Sequence, residues 1–235
     1  IGGMSFESTA VYYARLNQAA RSQLGGLASA EILLHSVNFA EIVALQTSGQ
    51  WQQAGQRLAG IAANLERADA DCVLICTNTM HKVAAQVQAA LSVPLINIID
   101  ETASALQAAG RKRPLLLATR YTMEDGFYHK AMQTAGIEVM VPQEPARSRV
   151  HEIIFSELCA GRVLDSSRQQ LLDIIAEARI AGADSVILGC TEICLSLEPD
   201  TLPLPGFDST AIHCDAASRY AFAKTLPLEI ETKYA

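Results

Sequence analysis

Asp71-Cys72-Val73-Leu74-Ile75-Cys76-Thr77-Asn78-Thr79 and Asp184-Ser185-Val186-Ile187-Leu188-Gly189-Cys190-Thr191-Glu192 align without gaps at an offset of 113 residues, close to half of the 235-residue chain. Each stretch runs from an acidic residue through a largely apolar β-type segment into a turn rich in hydroxyl, amide and thiol groups. Two further landmarks recur in the same order. Gly2-Gly3-Met4 leads on to Tyr13 as Leu117-Ala118-Thr119 leads on to Tyr128, and Pro94…Asp100-Glu101-Thr102-Ala103 echoes Pro203…Asp208-Ser209-Thr210-Ala211. Three matches in one order indicate a duplicated unit.

Working outward, the chain alternates short apolar runs with longer amphipathic ones. Strands are predicted at Glu31–Val37, Cys72–Cys76, Leu95–Ile98, Pro114–Ala118, Glu138–Val141, Ser185–Leu188 and Leu204–Phe207. Helices are predicted at Ala10–Leu24, Glu41–Arg67, Met80–Ala90, Thr102–Gln107, Phe127–Ala135, Val150–Cys159, Ser166–Ala181 and Ala211–Ala223. Apolar strands separated by helices imply a parallel sheet covered on both faces, so the fold class is α/β. The repeat divides it into two pseudo-symmetric units, 1–100 with 209–235 and 101–208. Nothing like Pro114–Ala118 precedes Gly2-Gly3, so the first unit reads as lacking most of a strand.

Composition narrows the function classes. The chain is 50% hydrophobic and 18% charged, with 14 Gly, 8 Pro and a net charge of −7. That balance excludes disorder and collagen, and leaves no excess of Lys and Arg to neutralise nucleic-acid or membrane phosphates. No apolar run reaches the ~18–20 residues of a transmembrane helix. Six irregularly spaced cysteines read as the reduced thiols of a cytoplasmic protein.

The chemistry concentrates at the two turns. In parallel α/β sheets ligands bind beyond the carboxyl ends of the strands, where the next helix aims free N–H groups at them. Thr77, Asn78 and Thr191 suit an anion there, or serve as ordinary helix caps. A cysteine at such a helix N-terminus is expected to lose its proton more easily than a free thiol, and Cys190 fits that description best. Two turns facing each other across a ligand suit a reaction in which a proton leaves one face of a carbon and returns to the other. Oriented donors would stabilise the enolate-like charge between the two steps.

The stretches Ile1-Gly2-Gly3-Met4-Ser5-Phe6-Glu7-Ser8-Thr9, Thr77-Asn78-Thr79-Met80-His81, Ala118-Thr119-Arg120-Tyr121-Thr122 and Leu188-Gly189-Cys190-Thr191-Glu192 together resemble the aspartate/glutamate racemase family. The opening and the first turn are most similar to its L-aspartate/glutamate-specific and broad-specificity bacterial members. The resemblance implies two α/β domains with the active site in the cleft between them, no cofactor or metal, a small amino-acid substrate and a homodimer. It places Met4, Ser5 and Gln46 near the substrate, and gives Asn78, Thr79 and Thr191 the α-carboxylate. Glu192 would orient Thr191 or a neighbouring donor, or serve as a helix-dipole partner. His81 would bond within the cleft or cap its helix.

One departure matters. Family members carry Cys-Asn-Thr in the first turn, whereas this chain has Thr77 before Asn78 and its cysteine one residue earlier, at Cys76. A one-residue shift along an extended strand end turns a side chain to the opposite face, which favours Thr77 as the residue facing the substrate, unless a bulge turns Cys76 back toward it. A thiol reaches its ionised form far more readily than a hydroxyl, so the expected site is asymmetric, with Cys190 as the base and Thr77 opposite. A dicarboxylate would need a cation, for which Arg162 and Arg120 are candidates. Cys159 and Cys214 read as helix-packing residues, and Lys82 stays open as an imine-forming lysine. Two other readings remain open: an arylmalonate-decarboxylase-like enzyme with one cysteine, and an amino-acid-binding protein without catalysis.

Overall fold

The computed structural model describes residues 1–223; the stretch 224–235, which the sequence assigns to the first unit, lies outside them. The described helices are α1 Phe6–Leu24, α2 Phe39–Thr47, α3 Trp51–Arg67, α4 Ala84–Gln88, α5 Ile98–Ala108, α6 Arg120–Glu124, α7 Phe127–Thr134, α8 Ala146–Glu152, α9 Asp165–Ile180 and α10 Ser209–Ala223. The described strands are β1 Val73–Leu74, β2 Leu95–Ile96, β3 Pro114–Leu117, β4 Ser185–Leu188 and β5 Gly206–Asp208. No described helix is long and apolar enough to cross a membrane.

All the strand pairs are parallel: β1 with β2, and β4 between β3 and β5. Single extended segments widen both sheets. Ile1 lies beside β1, its nitrogen 2.7 Å from Leu74 O and its carbonyl accepting from Cys76 N at 3.0 Å. Gly2 in turn exchanges bonds with His35 O and Val37 N. In the second sheet Met140 is held by Leu116 N and Pro114 O, both at 2.8 Å. The spatial order 35–37, 1–3, β1, β2 is therefore repeated as Met140, β3, β4, β5, and the two sheets share one topology.

Four predicted elements differ clearly from those observed. Glu31–Val37 and Glu138–Val141 contribute only single bridges, at Ser36 and Met140. Both segments lie at the outer edge of a sheet, and most of Glu31–Ser36 is exposed, so no second neighbour sustains a ladder. The helix predicted over Glu41–Arg67 is broken into α2 and α3 at Gly49, whose φ of +70° lies outside helical space. Beyond α8, the helix predicted over Val150–Cys159 passes through a π-turn over Ile153–Glu157 and a 3₁₀ turn over Leu158–Ala160.

Burial explains why the apolar runs become strands. Every residue of β3 and β4 is buried, sandwiched in a core with Ile98, Tyr128, Met132, Ile153, Leu171 and Ile175. A separate core joins Val73 and Ile75 to Ile42, Leu58, Ile61 and Val87. The last described helix, α10, packs against α1 and α5 and brings Cys214 against Tyr12 and Cys76. At Gly3, φ is +87° and an added Cβ would lie 2.3 Å from Val37 O. Only glycine fits there, and the strand end leading into Met4 is thereby fixed.

Candidate active site

Four strand ends converge on one cleft. Met4 follows the 1–3 segment, Thr77 follows β1, Thr119 follows β3 and Cys190 follows β4, and all four line a space of about 450 Å3 that is partly open to solvent. The sequence-predicted residues Gln46, Asn78, Thr79, Thr191 and Glu192 also line it. Ser5 stands one layer back. Its hydroxyl caps α1 at Ser8 N, 3.3 Å away, and donates to Glu192 Oε1 at 2.5 Å.

At the β4 turn, extended Cys190 leads into a 3₁₀ turn over Thr191–Leu195. Its thiol donates to Glu192 Oε2 at 2.8 Å. Burial, then the Glu192 carboxylate and then the Cys159 thiol push the Cys190 thiol well above its ordinary range. This reverses the ionisation expected from a helix N-terminus: the turn is too short to carry much dipole, and a carboxylate sits against the sulfur. Thr191 Oγ1 accepts from Ser8 Oγ at 2.5 Å and lies 3.1 Å from Thr210 Oγ1, which ties the turn to both α1 and α10.

At the β1 turn, Thr77 N donates to Ile75 O at 2.8 Å, and the tight bend sends Thr77 into the cleft. Cys76 faces the other way, buried against Tyr12 and Cys214, with its thiol pushed up by that burial. His81 does not line the cleft, and its side chain serves the N-terminus of α5 rather than that of its own turn. Its Nε2 accepts from Ile98 N at 3.2 Å, so Nδ1 carries the proton and donates to Thr77 O at 2.8 Å. Burial holds His81 neutral, lowering it to about 4.

The orientation of Asn78 follows from its neighbour. Ser209 spends its only hydroxyl proton on Leu188 O at 2.8 Å, so it must accept from Asn78 Nδ2 at 3.0 Å. Asn78 Oδ1 is then left buried without a partner in a residue that lines the cleft. The side chain therefore offers an unpaired acceptor, and its Nδ2 keeps a second hydrogen beyond the one given to Ser209. Beside it, the hydroxyls of Thr79, Thr119 and Thr122 form a triangle with sides of 2.9, 3.1 and 3.2 Å.

Sequence reasoning missed Ser8, Phe39, Ile154 and Phe155 among the lining residues, and placed Cys159 in helix packing although it too lines the cleft. Thr119 could have been found, since it is the repeat partner of Met4; the others carry no local signal. The expected cations stay away. Arg120 is exposed, Arg162 donates to Ser156 O at 2.5 Å, and Lys82 pairs with Asp125 at 2.6 Å over the Trp51 ring. Among the described residues no group of three His, Cys, Asp or Glu side chains could hold a metal.

The chain has clear relatives. The profile of the Asp/Glu/hydantoin racemase family matches residues 1–217. A Bacillus subtilis protein named a broad specificity amino-acid racemase is 27% identical over 150 residues, a match that spans 64% of each chain. Among solved structures, a Yersinia pestis candidate Asp/Glu racemase is 46% identical with a TM-score of 0.88, covering 94% of this chain and 97% of its own. An aspartate racemase homologue from Pyrococcus horikoshii is 32% identical with a TM-score of 0.82, covering 94% and 96%. By this profile match and by its likeness to these relatives, the chain belongs to the Asp/Glu/hydantoin racemase family.

Proposed function

We propose that this chain is a cofactor-independent amino-acid racemase in which Cys190 and Thr77 act on opposite faces of the α-carbon. The observation that carries the reading is that both residues follow equivalent strands of the two sheets and line one cleft. Glu192 first takes the Cys190 proton along their 2.8 Å contact, leaving a thiolate. The thiolate removes the α-proton, and the electron pair left on carbon delocalises into the α-carboxylate held by the Thr79 and Thr119 hydroxyls. Thr77 delivers its hydroxyl proton to the opposite face and regains one from water. The hydroxide so formed is neutralised by the proton that Glu192 releases, which resets the site. Asn78 Oδ1 accepts from the α-ammonium group. Among the described residues that line the cleft there is no lysine to form an imine, which favours direct proton transfer.

The two faces are chemically unequal, because a thiol ionises far below an alkyl hydroxyl. The enantiomer that presents its α-proton to Cys190 exchanges that proton faster than its mirror image does. Inversion itself has the same kcat/KM in both directions, because enantiomers are isoenergetic. The working species is a homodimer in the cytoplasm, which sedimentation and fractionation would check. The decisive test follows α-deuteration of each enantiomer separately in D₂O. Exchange from both enantiomers, faster from the one that presents its α-proton to Cys190 and abolished by Cys190→Ser, is the expected result. Equal exchange from both, or exchange that survives Cys190→Ser, overturns the assignment.

A further inference from the structure

We infer that the cleft takes an amino acid whose side chain carries no charge, so that aspartate and glutamate are its poorer substrates. The inference rests on the racemase reading above and names its substrate class. Three independent observations carry it.

The first is the charge inventory. Among the described side chains that line the cleft, Glu192 is the only Asp, Glu, Lys, Arg or His. A second substrate carboxylate would enter beside a residue of its own sign, with no cation to offset its lost hydration.

The second is the fate of the neighbouring cations. Arg149 is engaged by Glu152 and Glu157 at 2.9 and 3.0 Å, and Arg147 by Glu124 and Glu144 at 2.9 and 3.1 Å. Arg162 is spent on Ser156 O and Lys82 on Asp125, so recruiting any of these four would break a contact already made. Arg120, beside the lining Thr119, is exposed and does not itself line the cleft.

The third is the wall itself. Phe39, Ile154, Phe155 and Met4 line the cleft together with Cys159. Ile154 and Phe155 come from the π-turn, whose wider spacing brings consecutive side chains of one helix to the same cleft. The Cys159 thiol is itself pushed up to about 12, chiefly by burial, so it adds a neutral surface. Hydroxyls and one amide oxygen suit the α-carboxylate and α-ammonium, and the hydrocarbon side is left for whatever the α-carbon bears.

The test compares near-isosteric pairs. Both enantiomers of glutamine, methionine and glutamate are incubated in D₂O with the full chain, and α-deuteration is followed for each. Glutamine or methionine should exceed glutamate in kcat/KM by at least about tenfold. Glutamate exchanging as fast as glutamine, or faster, overturns the inference while leaving the racemase reading intact. Should no compound exchange, the racemase reading fails. The inference is then judged by ligand-induced shifts in melting temperature over the same panel, where glutamate stabilising as much as the neutral compounds, or no stabilisation by any, overturns it. Phe155→Arg supplies the missing cation and should shift the glutamate-to-glutamine ratio upward by about tenfold; an unchanged ratio in the folded variant also counts against the inference.

Discussion

The Cys190 sulfur lies 2.8 Å from Glu192 Oε2, and the other oxygen of that carboxylate takes the Ser5 hydroxyl at 2.5 Å. Glu192 is thus held from behind by the first turn of α1 while it faces the thiol. As a negative charge it resists ionisation of Cys190, and as the acceptor of the thiol hydrogen bond it is the proton acceptor of the proposed mechanism.

Glu192→Gln separates these two roles. Loss of the charge should lower the Cys190 pKa and speed its alkylation by iodoacetamide at pH 7. Loss of the proton acceptor should slow α-proton exchange by about 10²–10⁴-fold. The two rates are therefore expected to move in opposite directions. If both fall together, the carboxylate merely holds the turn in place.

Thr77→Cys should bring the two faces closer to equality. The exchange rates of the two enantiomers, measured separately in D₂O, are expected to converge by at least about tenfold, consistent with the 10²–10⁴-fold contribution of a well-placed general acid or base. Cys76→Ser, made as a comparison on a side chain buried away from the cleft, should leave the ratio unchanged.

Gly3→Ala should destabilise the fold by about 2–3 kcal/mol or more, because its Cβ meets main-chain atoms and its φ is left-handed. Urea unfolding would measure the loss. The matching Gly126→Ala, at a φ of +77° with nothing near its Cβ, separates the backbone contribution from the clash and should cost only about 1 kcal/mol.

Acid stability should report the buried histidines. His81 is lowered to about 4, by burial, and His213 to about 3, by burial and then by the charge of His81. Between about pH 6.5 and 4 the unfolded chain binds protons that the folded chain refuses, so stability falls as pH falls. Each histidine contributes a slope of about 1.4 kcal/mol per pH unit in that window. Unfolding free energies at pH 7, 6 and 5 should drop accordingly, ahead of most carboxylate titration. His213→Gln should flatten the curve, and a wild-type curve flat to pH 5 would contradict the burial of these rings.

Much of the architecture was legible because it was written twice. The apolar runs at 73–76 and 185–188 are short and buried on both faces, and their alignment revealed the duplicated topology before any pairing was seen. Edge segments such as Glu31–Val37 read like full strands, since composition does not tell a strand with two neighbours from one with a single bridge. Thr77 and Cys190 could be located from the turn pattern and the pleat. The state of the Cys190 thiol could not, because it depends on burial and on how Glu192 folds back toward the sulfur. Phe39, Ile154 and Phe155 arrive from separate elements, and the broken helix that delivers two of them leaves no periodic trace.

The repeated sheet order has one further consequence. Two identical half-length subunits assembled about a twofold axis would have to present the same side chain from both β1-type ends, so any substitution would appear on both sides of the ligand at once. Covalent continuity from β2 through α5 into β3 lifts that constraint. Position 77 can then vary while position 190 stays a cysteine, so the two sides of one cleft can carry different side chains through a single substitution.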